Sequence, residues 1–376
     1  MKILILSGIF PPDIGGPATQ LDALAQVLVK MGYKLQILTF GQSDKIKYLY
    51  PVKKVNNKLF FIFFAFKYSR KADIIYAWDL YTAGFTGFIL KKIFDKSFAV
   101  RFVGDSAWEN AASKGLKDDI ITFQQKKYNF MIELRKKLRK NILISADKIV
   151  VASNFLKDLA LKIGVKESKI KVIYNSVDFL PDIKTAKDKQ SVKKDLGFKG
   201  IMILTIARLV PWKGIDMLID LMPDLIEKYK QINLVILGQG QQMSKLKSQI
   251  DALKLNNNIF LKGKVDRQTT LAYLQAADLF VLNTNYEGHS HCLLEAMKMG
   301  VPIITTFAGG NTETIKNGQT GLLINFNYKD QWQEAICKIL DQPQLADKIA
   351  LNAKKDLIRF SWSKLVKETT EVFNSL

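Results

Sequence analysis

The sequence predicts an α/β protein built from two successive doubly wound domains. Three observations carry that reading. Short β-rich runs alternate with helical patterns of ten residues or more, the signature of parallel βαβ units. The alternation stops in a Lys-rich stretch, 179–200, which holds Pro181 and has no sustained period. It then starts again. The length of 376 residues agrees with two domains at ~150 residues each.

The elements follow in order. Lys2–Ser7 is a nearly continuous apolar strand. In Thr19–Met31 the residues Leu21, Leu24, Ala25 and Leu28 recur with a helical period that stops at Gly32. Lys34–Thr39, Asp73–Ala77, Phe98–Val103, Lys148–Val151 and Lys171–Tyr174 read as further strands. Residues 1–180 therefore make the first domain, and 181–200 a linker. In the second domain, 201–359, strands are expected at Ile201–Ala207, Ile232–Leu237, Ile259–Leu261, Leu279–Leu282, Pro302–Thr306 and Gly321–Ile324. Helices are expected at Gly214–Tyr229, Gln242–Leu253 and Ser290–Met299. The chain from Lys329 onward is helical.

Composition bounds the function. Apolar residues at 48% and charged residues at 24% exclude a disordered chain, a collagen-like fibre and a coiled-coil rod. Two cysteines, Cys292 and Cys337, cannot make a disulfide framework, so a reducing, cytoplasmic setting is expected. With only His289 and His291 besides, no metal site is expected. The longest clean apolar run, Leu59–Phe66, is far shorter than the ~18–20 residues of a membrane span. The net charge is +21, and it is uneven: residues 1–200 hold 36 bases and 18 acids, whereas 201–376 hold 20 and 17. The first half therefore suits a polyanion or an anionic membrane surface.

In open α/β sheets ligands meet the loops beyond the strand carboxyl ends. The first such loop ends in Gly15-Gly16 at a helix start, where backbone N–H groups can approach an anion. It lacks the Gly-x-Gly-x-x-Gly dinucleotide pattern. After Ile201–Ala207 come Arg208, a planar fork, and Lys213, a point charge at a helix start. With the helix dipole they form a candidate diphosphate clamp. After Leu279–Leu282 comes Glu287, and eight residues later Glu295. Glu295 falls inside an apolar helix, where an unpaired carboxylate is costly, so a polar group must meet it. Two carboxylates at one helix entrance can accept hydrogen bonds from a polyol. Gly309-Gly310 makes one more Gly-rich turn onto a helix.

Taken in order, the Gly15-Gly16 loop, "ADKIVVASNF", "IYNSVD", "IARLVPWKG", "VILGQGQ", "NYEGHSHCLLEAMKMGVPIITT" and "GGNTETIKNGQTGLL" resemble the retaining GT-B glycosyltransferases of family 4, the glycosyl transferases group 1. The likeness covers nearly the whole chain. It implies two Rossmann-like domains facing a deep cleft, with the C-terminal helix, about 360–376, packing back on the first. It implies a nucleotide diphosphate sugar, UDP- or GDP-linked, as donor and no metal or other cofactor. Arg208 and Lys213 would grip the diphosphate. Glu295 would accept from ribose hydroxyls and Glu287 from sugar hydroxyls. The backbone of Gly288, His289, Ser290, His291 and Leu294 would face the phosphate or sugar. Lys264 and Val265 would lie beside the base, Gly16 would approach the diphosphate, and Asp105 would stand near the sugar.

The acceptor is expected to be lipid-linked or a membrane glycan. Lys126–Lys140 interleaves seven cations with Tyr128, Phe130, Met131, Ile132, Leu134 and Leu138, the pattern of an interfacial helix. Leu59–Phe66 reads either as a buried helix or as a second membrane-facing one. Peripheral membrane attachment is expected, with no specific nucleic-acid partner, since no recognition motif for nucleic acid is visible. Two other readings use the same features: a nucleotide-sugar hydrolase or epimerase of this fold, and a non-enzymatic polyanion-binding protein. The intact Arg208, Lys213, Glu287 and Glu295 weigh against the last.

Overall fold

The computed structural model describes residues 1–13, 15–42, 46–177 and 188–376. The chain forms two compact units, residues 1–175 with 362–376, and residues 176–361.

The first unit runs β1 (Lys2–Ser7), α1 (Gly16–Lys30), β2 (Lys34–Phe40), β3 (Val52–Val55), α2 (Lys58–Ser69), β4 (Ile74–Ala77), α3 (Thr82–Phe94), β5 (Ser97–Phe102), α4 (Ser106–Ser113), α5 (Ile120–Gln125), α6 (Phe130–Ser145), β6 (Lys148–Val151), α7 (Asn154–Ile163) and β7 (Ile170–Val172). The seven strands make one parallel sheet in the order β3-β2-β1-β4-β5-β6-β7. Helices cover both faces, so the central strands are apolar along their whole length rather than alternating. Ile3 and Ile5 of β1 pack with Leu21, Leu24 and Leu28 of α1 on one face. Helices α2 and α3 pack on the other, and α6 packs on α3.

The second unit runs α8 (Lys189–Asp195), β8 (Ile201–Ile206), α9 (Ile215–Asp220), α10 (Met222–Lys228), β9 (Ile232–Leu237), α11 (Met243–Ala252), β10 (Ile259–Gly263), α12 (Arg267–Ala276), β11 (Leu279–Leu282), α13 (His291–Met299), β12 (Ile303–Thr306), α14 (Asn311–Thr314), β13 (Leu322–Ile324), α15 (Lys329–Asp341) and α16 (Pro343–Asp356). Its sheet is parallel in the order β10-β9-β8-β11-β12-β13. The chain then returns to the first unit as α17 (Trp362–Asn374). There Leu365, Val366, Val372 and Phe373 join the core under β1 and β4, and Ser97 Oγ donates to the Leu376 carbonyl at 2.9 Å.

Three expectations are corrected. Strand β3, Val-Lys-Lys-Val, was not anticipated: as an edge strand of four residues it needs no long apolar run. The helix expected over Gly214–Tyr229 is two helices, because Pro223 at the start of α10 cannot continue the hydrogen-bond ladder of α9. The expected linker 181–200 is not all linker. Its residues 181–187 lie outside the described residues, but Lys189–Asp195 is a helix capped by the Asp188 carboxylate on Ser191 N–H. Asp278, before β11, holds α8 in place: its carboxylate accepts from Lys193 Nζ at 2.5 Å, Lys189 Nζ at 2.7 Å and Met202 N–H at 2.8 Å.

In each sheet the strand order reverses beside the first strand. The switch points lie between β1 and β4 and between β8 and β11, and ligands of doubly wound sheets bind at the carboxyl ends there.

Candidate active site

At the switch point of the second unit, the loops after β8 and β11 are tied by buried polar contacts. Gly214 has φ 47°, and a Cβ there would lie 2.2 Å from Asn283 Nδ2, so only glycine fits. Asn283 is fully buried; its Nδ2 donates to the Gly214 carbonyl at 2.9 Å and to Asn327 Oδ1 at 2.7 Å. Asn285 N–H donates to the Trp212 carbonyl at 2.8 Å, and Thr284 Oγ1 to the same carbonyl at 3.2 Å.

This scaffold buries Lys213 and turns it toward the neighbouring loop. Its Nζ donates to Glu287 Oε2 at 2.5 Å and to the Tyr286 carbonyl at 3.3 Å. Arg208, five residues earlier, is exposed, with its guanidinium 5.8 Å from the Trp212 ring centroid. That contact helps to orient its planar fork.

The loop from Glu287 to Ser290 is held against the loop after β12. Gly310 N–H donates to the Glu287 carbonyl at 2.9 Å, and a Cβ on Gly310 would lie 1.9 Å from the Gly288 carbonyl oxygen. Gly288, His289 and Ser290 are buried, and the His289 ring packs on Phe360 at 5.0 Å. Ser290 caps α13, its Oγ accepting from Leu293 N–H at 3.4 Å. His291 opens the helix half-buried, and Leu294 is buried. The positive end of α13 therefore lies beside Lys213 and Glu287, a setting suited to an anion.

Glu295 lies one turn into α13, with only 4% of its surface exposed. The polar group that meets it is Arg267, the first residue of α12, whose Nη1 lies 2.6 Å from Glu295 Oε1. Burial pushes the Glu295 carboxyl up, and the Arg267 charge and hydrogen bond pull it down. The Cys292 thiol is pushed up by burial, and it also feels Glu295, Glu287, Lys213 and Arg267. Cys292 lies in the first turn of α13, three residues before Glu295. Lys264 and Val265 follow the end of β10, Lys264 exposed and Val265 half-buried. The Gly263 carbonyl accepts from Gly238 N–H at 2.8 Å, tying this end to the loop after β9.

Two expected residues belong to the first unit. Gly16 is the first residue of α1, at the carboxyl end of β1. Asp105 does not stand at an open site, which corrects the role expected for it. It is fully buried and caps α4, accepting from Ala107 N–H at 3.0 Å and Trp108 N–H at 3.3 Å. Its other oxygen accepts from Gln124 Nε2 at 3.0 Å and pairs with the buried Arg139. This acid ties helix α4 to helix α6.

Sequence reasoning missed two residues. Arg267 carried one signal, a cation right after the capping Asp266, on the helix preceding β11. Asp79, at the switch point of the first sheet, follows β4 and drew no expectation from the sequence. It accepts from Gly8 N–H at 2.6 Å, Thr82 N–H at 3.1 Å and Ala83 N–H at 3.3 Å, and burial pushes its carboxyl up against those bonds. Among the described residues, no three His, Cys, Asp or Glu side chains gather in a way that could hold a metal ion.

Two parallel-sheet Rossmann-like units, with a basic and acidic cluster at a sheet switch point, define the GT-B class of sugar transferases. The comparisons agree. A family model described as Glycosyl transferases group 1 matches residues 186–356, and one described as Glycosyltransferase Family 4 matches residues 14–179. The chain belongs to this glycosyltransferase family and is a glycosyltransferase. An uncharacterized glycosyltransferase of Methanocaldococcus jannaschii is 26% identical over 100% of this chain and 99% of its own. The phosphatidylinositol N-acetylglucosaminyltransferase GPI3 subunit of Saccharomyces cerevisiae is 22% identical over 100% of this chain and 83% of its own. The crystal structure of Anabaena Alr3699/HepE in complex with UDP and glucose superposes with a TM-score of 0.84 at 21% identity, covering 100% of both chains.

Proposed function

We propose that this enzyme moves a sugar from a nucleoside diphosphate donor to a hydroxyl of a lipid-linked or membrane glycan acceptor, with retention of configuration and without a metal. The observation that carries the reading is the buried Lys213–Glu287 pair at the switch point, with Arg208 on the same loop as Lys213 and Glu295 on the helix that follows Glu287. Breaking the glycosyl–phosphate bond develops positive charge on the sugar and negative charge on the departing diphosphate. Lys213, Arg208 and the N-terminus of α13 stabilise that negative charge where a divalent ion otherwise would. The diphosphate competes with Glu287 for the Lys213 ammonium, and the released carboxylate accepts from the sugar hydroxyls. Glu295 accepts from the ribose hydroxyls, and Lys264 and Val265 flank the base. The UDP held by the Anabaena neighbour supports a nucleotide donor in this fold. Same-face attack, with the leaving phosphate oxygen taking the acceptor proton, gives retention.

The acceptor reading rests on the name of the yeast relative, which acts on phosphatidylinositol, and on one surface of the first unit. Helix α2 exposes Leu59, Phe60 and Phe63, and the start of α6 exposes Phe130, Met131 and Leu134. Both helices pack on α3, so both lie on the same face of the sheet. Lys58 and Lys67 on α2, Lys127 just before α6, and Lys137 and Lys140 on α6 are also exposed. Apolar side chains ringed by cations complement an anionic leaflet. No helix among the described residues is long and apolar enough to cross a membrane.

The test is a thermal-shift and transfer panel with UDP- and GDP-sugars, followed by anomeric analysis of the product. One donor should raise the melting temperature and give a retained product that is unaffected by a chelator. An inverted product, or a strict Mg²⁺ or Mn²⁺ requirement, would overturn the corresponding part of the reading.

A further inference from the structure

We infer that Arg267 is a positioning residue for donor recognition: it clamps one oxygen of Glu295 so that the other is presented to a vicinal diol. The inference rests on the reading that Glu295 meets the ribose.

Four observations lead to it. Arg267 Nη1 holds Glu295 Oε1 at 2.6 Å. Among the described residues, Oε2 accepts no hydrogen bond, so one carboxylate oxygen is fixed and the other is available. The neighbouring acid does not compete: Asp266 Oδ1 accepts from Thr269 N–H and Oδ2 from Thr269 Oγ1, both at 2.8 Å. Finally, Arg267 Nε and Nη2 are buried without a hydrogen-bond partner.

Among the described residues the one hydrogen bond of the Arg267 side chain goes to Glu295 Oε1, so its polar contact serves to orient that acid. Removing it would leave the buried Glu295 without its counter-charge. A buried carboxylate with no fixed partner can rotate or take up a proton, and either change removes the acceptor a diol needs. The position of Arg267 serves this purpose. As the first residue of α12, anchored by the Asp266 cap, it meets α13 from a neighbouring helix and not from a loop.

The experiment is calorimetric titration with UDP, GDP and their 2′,3′-dideoxy counterparts, on wild type, Arg267→Met, Arg267→Lys, Glu295→Gln and the Arg267→Met/Glu295→Gln double variant. Wild type should prefer the ribonucleotide by about tenfold or more, one well-made hydrogen bond's worth. Arg267→Met, which keeps the packing volume, should lose that preference while binding the dideoxy compound as wild type does. Arg267→Lys should restore part of it, and the double variant should be no worse than Glu295→Gln alone. If Arg267→Met keeps the preference while Glu295→Gln loses it, Arg267 has no positioning role and the Glu295 reading stands. If Arg267→Met weakens both compounds equally, the role is structural and the inference is overturned. If Glu295→Gln keeps the preference, or neither nucleotide binds wild type, the donor reading falls and the inference with it.

Discussion

Lys213 Nζ and Glu287 Oε2 meet at 2.5 Å across the switch point of the second sheet, joining the loop after β8 to the loop after β11. The lysine is 6% exposed. A buried pair of this kind is costly to break from one side, because the remaining charge has no partner. On the proposed reading, diphosphate oxygens replace the carboxylate on the ammonium. Lys213→Ala should therefore lower kcat/KM by ~10²–10³-fold, the loss typical of one preorganised donor to a developing anion. Glu287→Gln should lower it comparably, and the double variant should cost much less than the product of the two. Steady-state kinetics with the preferred donor decide this; full additivity would mean that the two residues act separately.

Gly310 tests the shape of the same site. A Cβ there would overlap the Gly288 carbonyl oxygen at 1.9 Å, and that atom is backbone, so the loop 287–290 must move. Gly310→Ala should weaken donor binding by more than it lowers the melting temperature of the unliganded protein would suggest. Donor affinity equal to wild type would show that the loop does not have to hold its place.

Much of this site was legible in the sequence, and what was not has physical causes. The apolar runs of β1, β8 and β9 announce central strands covered on both faces. Glu295 stands out because an acid in an apolar helix requires a partner, but the partner, Arg267, comes from a helix 28 residues earlier whose packing no local pattern reveals. Asp105 misled because a polar residue after a strand looks the same whether it caps a helix or faces a ligand; only its burial with Arg139 separates the two. For α2 the aromatic run fitted a buried helix equally well, yet Phe61 and Ala65 are buried while Leu59, Phe60 and Phe63 are not. Exposure of that kind is decided by which elements happen to cover a face.

The helix before β8 gives a stability prediction with a defined pH dependence. Burial pushes the Asp278 carboxyl up, but Lys189, Lys193 and the Met202 N–H outweigh it and hold the group below its usual range. A depressed native pKa contributes stability that is present above the unfolded value of ~3.9 and lost as pH falls through the native one. Asp278→Asn should destabilise the protein by ~3 kcal/mol near neutral pH, as expected for leaving the buried Lys193 with the Gly200 carbonyl but no counter-charge. The difference should shrink below about pH 4. Thermal or denaturant unfolding at several pH values checks it; a difference that stays constant into acid would exclude the ion pair as its source.

The exposed face of the first unit predicts membrane behaviour. Vesicles rich in anionic lipid should retain the protein at low salt and release part of it at high salt, because cations near the leaflet contribute ~1 kcal/mol each and are screened. Replacing Leu59, Phe60 and Phe63 by Ser should weaken retention while leaving donor binding unchanged. Co-sedimentation measures both, and equal retention on neutral vesicles would defeat the electrostatic account.

The central claim is that the carboxyl edge of the second sheet grips a nucleoside diphosphate. Calorimetric titration of UDP and GDP into wild type and Arg208→Ala tests it most directly. Wild type should bind one of them without added metal, and Arg208→Ala should bind it ~10–100-fold more weakly, the ~1.5–3 kcal/mol of a hydrogen bond to a charged group. Unchanged affinity in the variant, or no binding of either nucleotide to wild type, would contradict the account.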